Sequence, residues 1–329
     1  MKRFISSVFD KSVKLVPRII NLLSKHNSFR IIYYHRINYQ LDDYYFDTGI
    51  DIRTFKRQIS ELKKKYRFIT LTEALEKAQK QESLTDFISL TFDDGFREIF
   101  DYIHPILNSE GITGTIYLIE RCIDNNDLMW RNKVLYLQKN LPKKEILALQ
   151  LALNEHFSRQ YEPNSSLLSS SYEWDMSSKD EYANFLWDNS IDISIESFLN
   201  EHKPYLSGEQ IIELLNSGYE IGCHTYSHPR CNKLTPKELK EEVIDSASRL
   251  EKRFGVDINS LSYPFGERPS RELEIEILKN SKIITLQGIN DRLNNFSDPR
   301  FWERCNMEHD YKNSLSSFNL FPHLKKYSF

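Results

Sequence analysis

The chain has 329 residues, 40% hydrophobic and 28% charged, the balance of a soluble globular protein, which excludes collagen-like, mucin-like and wholly disordered chains. A net charge of −3, from 44 Lys+Arg against 47 Asp+Glu, leaves no footprint for a nucleic-acid partner. Glycine is scarce, 10 residues or about 3% where about 7% is ordinary, so each glycine retained needs a reason.

Residues 1–26 carry Lys2, Arg3, Lys11, Lys14, Arg18 and Lys25 against one acid, Asp10. Phe4, Ile5, Val8, Leu15, Ile19 and Leu22 recur near helical spacing, so 1–28 is expected to form a basic amphipathic helix. Such a helix either makes peripheral contact with an anionic membrane surface or packs on the main domain, and both need the same pattern. Its charges are too frequent for an export signal, and no apolar run reaches the ~18 residues of a transmembrane helix. A cytoplasmic protein, peripheral on the inner membrane face if the helix binds lipid, is expected. Cys122, Cys223, Cys231 and Cys305 form no CxxC pair, which suits a reducing compartment or simple burial.

The main body, 29–329, alternates short apolar runs with helical stretches. Strands are predicted at Phe29–His35, Phe68–Leu71, Phe87–Phe92 and Thr113–Ile119, with helices over Ile52–Tyr66, from Thr72 and over Arg97–Asn108. After a polar, helix-rich stretch at about 121–205, alternation resumes. Helices are expected at Glu209–Asn216, Pro236–Phe254 and Arg271–Asn280, with strands at Tyr219–Cys223, Leu261–Gly266 and Ile283–Leu286. This is the pattern of βα units around a parallel sheet or barrel, and the 121–205 stretch, far longer than a normal connection, reads as a helical insertion. Trp130, Trp174, Trp187 and Trp302 are expected mainly in packing.

Three motifs end predicted strands. In Thr91-Phe-Asp93-Asp94-Gly95, adjacent carboxylates follow an apolar run, where burial is costly unless a metal or base chemistry uses them. In His224-Thr-Tyr-Ser-His228, two histidines four apart share a face if the turn is helical and can share a metal. In Ser262-Tyr263-Pro264-Phe265-Gly266, Pro and Gly fix a turn. Asp94, His224 and His228 together offer one hard oxygen and two imidazoles with a position left open, a catalytic zinc-like set, and Asp93 stands beside it as a base. Gly95, Gly222 and Gly266 lie in or beside these motifs, which suggests turns that glycine adopts most readily.

In this order, TFDDG, HTYSH and YPFG resemble the polysaccharide deacetylases with a NodB-homology domain, carbohydrate esterase family four; Tyr34-His35-Arg36 and Pro105-Ile-Leu107 extend the likeness. The resemblance spans about Phe29 to Asp310 without the insertion. It implies a distorted (β/α)7 barrel and a divalent metal, most often zinc, on Asp94, His224 and His228. It also implies Asp93 as general base toward a water and the Phe265 backbone N–H as oxyanion donor. His35, Tyr263 and Pro264 would line the substrate. The implied activity is hydrolysis of N-acetyl, or less often O-acetyl, groups on a sugar, here for synthesis of a surface polysaccharide. Two positions depart from the pattern. Ser262 stands where many relatives carry an arginine that orients the base, and Arg304 is the candidate replacement. The late histidine that serves as general acid has His309 as its nearest counterpart, with His35 as a second candidate. These departures keep open a different class: a catalytically silent member that binds glycan or metal within a biosynthetic complex.

Overall fold

The computed structural model describes residues 29–38, 49–291, 293–294 and 298–308. The amphipathic helix expected at 1–28 and the candidate acid His309 lie outside these residues. The first apolar run forms β1 (Arg30–Tyr34), followed by the short pair β2 (Ile37–Asn38) and β3 (Ile50–Asp51). β4 (Arg67–Phe68), β5 (Phe87–Phe92) and β6 (Thr115–Leu118) precede the helical stretch. β7 (Glu220–Cys223), β8 (Ser260–Ser262), β9 (Thr285–Gly288), β10 (Phe301–Glu303) and β11 (Cys305–Asn306) follow it.

Every strand pairing is parallel, in the order β10-β9-β8-β7-β6-β5-β1-β11 with β4 added to β5. Residues 31–34, 88–92 and 115–118 are buried throughout, as parallel strands covered on both faces require. Only Arg304 separates β10 from β11. β10 pairs with β9 and β11 with β1, so one broken segment bridges the two edges of the sheet. Counted once, that segment completes a distorted (β/α)7 barrel, an incomplete relative of the eight-fold barrel.

The two faces of the strands have different partners. Ile32, Tyr34 and Leu90 pack with Phe55, Ile59 and Leu62 of the helix Ile52–Lys63. Ile31, Tyr117 and Trp302 pack instead with Leu71, Ala74 and Leu75 of the helix Leu71–Gln79. That helix starts earlier than its expected Thr72 cap. Thr70 is the cap, because only Thr70 has Glu73 three residues on to complete a reciprocal capping box. The first helix after β5 also departs from the expected simple α-helix: it opens as a π-helical turn at Ile99–Ile103 and continues as His104–Ser109.

Between β6 and β7 the chain forms helices at Trp130–Asn140, Lys143–His156, Lys179–Asp188 and Ile195–His202. Trp130, Trp174, Tyr182, Trp187 and Phe198 fill an apolar cluster of their own there. All four tryptophans are buried in packing, and all four cysteines are buried and outside any disulfide. Among the described residues, no helix is long and apolar enough to cross a membrane.

Candidate active site

The three motifs meet where β5, β7 and β8 end. The Asp93 N–H donates to Tyr34 O at 2.9 Å, continuing the β1–β5 ladder by one residue. Asp94 (φ +69°) and Gly95 (φ +66°) then turn the chain through left-handed conformations. His224 leaves β7 with its N–H on Leu118 O. The expected helical turn between the histidines is absent: residues 224–230 form an irregular loop. Thr225 (φ +67°) and His228 (φ +61°) are left-handed, and Thr225 Oγ1 accepts from the His228 N–H at 2.9 Å. Phe265, in the third motif, also has φ +59°. Non-glycine residues held this way each cost about 1–3 kcal/mol, and their clustering is a mark of functional sites. The glycine expectation is corrected at Gly222. That residue lies in β7 and is small because an added Cβ would come within 2.4 Å of the Tyr117 ring.

The loop brings the ligand candidates together. Asp94 Oδ1 lies 3.3 Å from His224 Nε2 and 3.4 Å from His228 Nε2. One ligand atom from each of the three residues falls within 4.8 Å of the others, and all three residues are buried. His224 Nδ1 donates to the Ser262 carbonyl at 2.8 Å; a carbonyl only accepts, so Nε2 presents its lone pair to the cluster. Burial pushes His228 well below the ordinary histidine value, which keeps it neutral. Burial alone would raise the Asp94 carboxyl, but the surrounding histidines, protonated His35 among them, lower it and hold the group ionised. Among the described residues, Asp94 Oδ1 is a buried oxygen with no hydrogen-bond donor. A buried carboxylate oxygen left bare between two imidazole nitrogens fits a divalent cation, and the donor set suits zinc.

Asp93, beside this cluster, is tied to the closing strand. Arg304 Nη1 and Nη2 donate to its Oδ1 and Oδ2 at 2.6 and 2.8 Å, the two-pronged geometry that suits a carboxylate. Arg304 also donates to Ser262 Oγ at 2.6 Å and Thr91 Oγ1 at 3.2 Å, and its guanidinium lies over the Tyr33 and Tyr117 rings. Burial raises the Asp93 carboxyl, and the Arg304 charge more than reverses that, leaving it below its usual value. Arginine therefore reaches Asp93 from across the barrel, and Ser262 holds the guanidinium.

His35, at the end of β1, points its Nε2 toward Asp93 Oδ2 at 3.9 Å. Its Nδ1 bonds Glu308 Oε2 at 2.7 Å, and Glu308 Oε1 accepts from the His35 and Arg36 N–H groups at 2.6 and 2.9 Å. Burial lowers the imidazole's affinity for a proton, but Glu308 outweighs it and raises His35 to about 9. Glu308 carries no motif of its own; its only sequence signal is its place beside His309. Tyr263 and Pro264 are buried, Tyr263 within the main apolar core, so they shape the turn beneath Phe265. The Phe265 ring itself lies 4.8 Å from that of His228.

The helices between β6 and β7 hold the histidine loop from outside. Trp130 Nε1 donates to His228 O at 2.8 Å. Lys179 Nζ donates to Ser227 Oγ at 2.8 Å, and Ser227 Oγ donates in turn to Glu242 Oε1. Glu242 also accepts from the Ser227 N–H at 2.8 Å.

The family profile of polysaccharide deacetylases matches residues 80–167 and 169–280, more than half of the chain. The chain belongs to the polysaccharide deacetylase family. Its members are hydrolases acting on carbon–nitrogen bonds and are generally metal-dependent. The fold of this deacetylase is similar to that of the Streptococcus pyogenes deacetylase PplD in complex with acetate, at 15% identity and TM-score 0.58, over 88% of this chain and 98% of that one. IcaB from Ammonifex degensii is similar at 17% identity and TM-score 0.56, over 89% and 97%. The Bacillus subtilis (strain 168) protein YxkH is 35% identical over 65 residues, 20% of this chain and 23% of that relative, so the deacetylase spans about a quarter of it.

Proposed function

We propose that this chain is an active, metal-dependent deacetylase that removes N-acetyl, or O-acetyl, groups from a sugar or polysaccharide precursor in surface-polysaccharide synthesis. The observation that carries the reading is the bare Asp94 oxygen between two imidazoles, next to a second aspartate kept ionised by Arg304. A divalent cation held by Asp94, His224 and His228 would supply Lewis acidity toward the acyl oxygen and acidify a water.

The remaining roles belong to the protein. Asp93, ionised and fixed by Arg304, takes the proton from the attacking water. The Phe265 N–H donates to the charge that develops on the acyl oxygen. His35, protonated against Glu308, gives its proton to the departing sugar amine. The silent alternative rested on Ser262 and on a missing acid. Arg304 beside Asp93 and the His35–Glu308 pair supply both functions and favour the active reading. Acetate release from N-acetylhexosamine oligomers, with and without added zinc, tests it; no zinc-dependent acetate from any acetylated glycan would leave the silent reading.

His35 can donate only while protonated, so turnover is retained below its value and lost as pH rises through about 9. Glu308→Gln removes the charge that raises it, and the alkaline limb of kcat should move down toward the ordinary histidine value of about 6.5. A limb unmoved in Glu308→Gln would exclude His35 as the acid. Lys179→Met should weaken zinc binding about tenfold in chelator competition, because the clamp behind the histidine loop is lost. Equal zinc affinity in the two proteins would reduce Lys179 to a packing role.

A further inference from the structure

We infer that Arg131, at the start of the helix Trp130–Asn140, is a specificity-determining residue that receives an anionic substituent, a phosphate or a carboxylate, carried by the acetylated sugar. This rests on the deacetylase reading above and names its substrate class.

Trp130 fixes where Arg131 stands. Its Nε1 donates to His228 O at 2.8 Å and its ring lies 6.1 Å from that of Phe265, so the first turn of the helix is seated on the histidine loop and on the third motif together. Arg131, the next residue, is half-buried, with its guanidinium 5.9 Å from the Phe265 centroid, near the outer limit of a cation–ring contact. The Phe265 ring is in turn 4.8 Å from the His228 ring, so the same ring adjoins Arg131 and a metal-ligand candidate. The charge of Arg131 is felt there: burial lowers the proton affinity of His228, and Arg131 adds to that effect.

Charge pairing around the site leaves Arg131 unmatched. Asp93 answers Arg304, Glu267 answers Arg230 against the same Phe265 ring, and Glu308 answers protonated His35. Asp94 would offset part of the charge of a divalent cation. Among the described residues, no carboxylate lies within ion-pair distance of Arg131. A half-buried cation without a counter-charge is costly, and a ring at 5.9 Å offsets little of that. The cost is removed when the counter-charge arrives with the substrate. Phosphate and carboxylate both match the planar fork of a guanidinium, and the positive balance draws in an anion ahead of a neutral sugar. Arg131 adjoins the ring of the residue whose N–H meets the acyl oxygen, so the anion it receives belongs to the reacting sugar itself.

Two pairs of sugars test this on the zinc-loaded protein: N-acetylglucosamine 1-phosphate against the methyl glycoside of N-acetylglucosamine, and N-acetylglucosaminuronic acid against N-acetylglucosamine. Affinity is read by calorimetry in the Asp93→Asn background, where turnover is suppressed. With Arg131 present, the charged member of at least one pair should bind about tenfold more tightly, the value of one charge-assisted hydrogen bond, and the responding pair tells phosphate from carboxylate. Arg131→Gln should lose that preference, and Arg131→Lys, which keeps the charge without the fork, should keep part of it. No preference in either pair, no binding of any of the four sugars, or a preference kept in Arg131→Gln because the zinc supplies it would overturn the assignment. A preference that disappears in Arg131→Gln, with no acetate released from any acetylated glycan by the wild-type protein, would retain the anion site and overturn the deacetylase reading.

Discussion

Replacing Arg304 by Met should lower kcat by about a hundredfold or more and destabilise the fold by about 3–5 kcal/mol, because it leaves the Asp93 carboxylate buried without its counter-charge. Ser262 Oγ, 3.4 Å from Oδ2, is too weak a partner to compensate. The pH dependence carries the diagnosis. In wild type the Asp93 value is depressed, so its contribution to stability is present above about pH 4 and fades as pH falls through the native value. In Arg304→Met the strongest charge opposing burial is gone, leaving only His224 and His35 against it, so the carboxyl should rise; if it rises above its unfolded value, that variant loses stability as pH rises. Arg304→Lys keeps the charge without the two-pronged fit; it should fold close to normally and lose about tenfold or more in kcat. Pairing Arg304→Met with Asp93→Asn removes the stranded charge and should recover part of the stability. Thermal melts across pH for the four proteins, with kcat for each, check the set. Arg304→Met melting like wild type at every pH would show that the pair contributes nothing to the fold.

The second large effect separates base from ligand. Asp93→Asn should reduce kcat by about a thousandfold while zinc remains bound, since general-base catalysis is worth about 10²–10⁴ and the ligand cluster is untouched. His228→Ala should lose the zinc itself, because one of only two imidazoles disappears. Metal content by mass spectrometry after dialysis, read beside acetate release, distinguishes the two. Equal zinc in His228→Ala and wild type would remove His228 from the ligand set.

Much of this architecture is written locally. Strands buried on both faces are largely apolar, so Phe87–Phe92 and Thr115–Leu118 stand out in the sequence, and the candidate site residues Asp93 and Asp94 follow the first of them directly. The closing segment does not stand out. Phe301-Trp-Glu-Arg-Cys-Asn306 is short, broken at its fourth residue and charged at its centre, and it counts as strand only through partners in β1 and β9. The Arg304–Asp93 pair spans 211 positions, so no local pattern could register it, and only the departure at Ser262 hinted that an arginine had to come from elsewhere. The histidine spacing suggested a helix because i, i+4 is helical geometry; a loop with left-handed Thr225 and His228 reaches the same convergence. Glu308 was hidden beside a more conspicuous histidine. Lys179 and Trp130 were invisible as loop supports, because an insertion's contacts with the barrel leave no periodic trace.

The break at Arg304 also makes the pairing of Asp93 depend on closure of the ring. Asp94, His224 and His228 are brought together by the ends of β5 and β7, whereas Asp93 meets its guanidinium only where β11 seats on β1. Damage at the seam would therefore reach Asp93 before it reached the metal-ligand candidates.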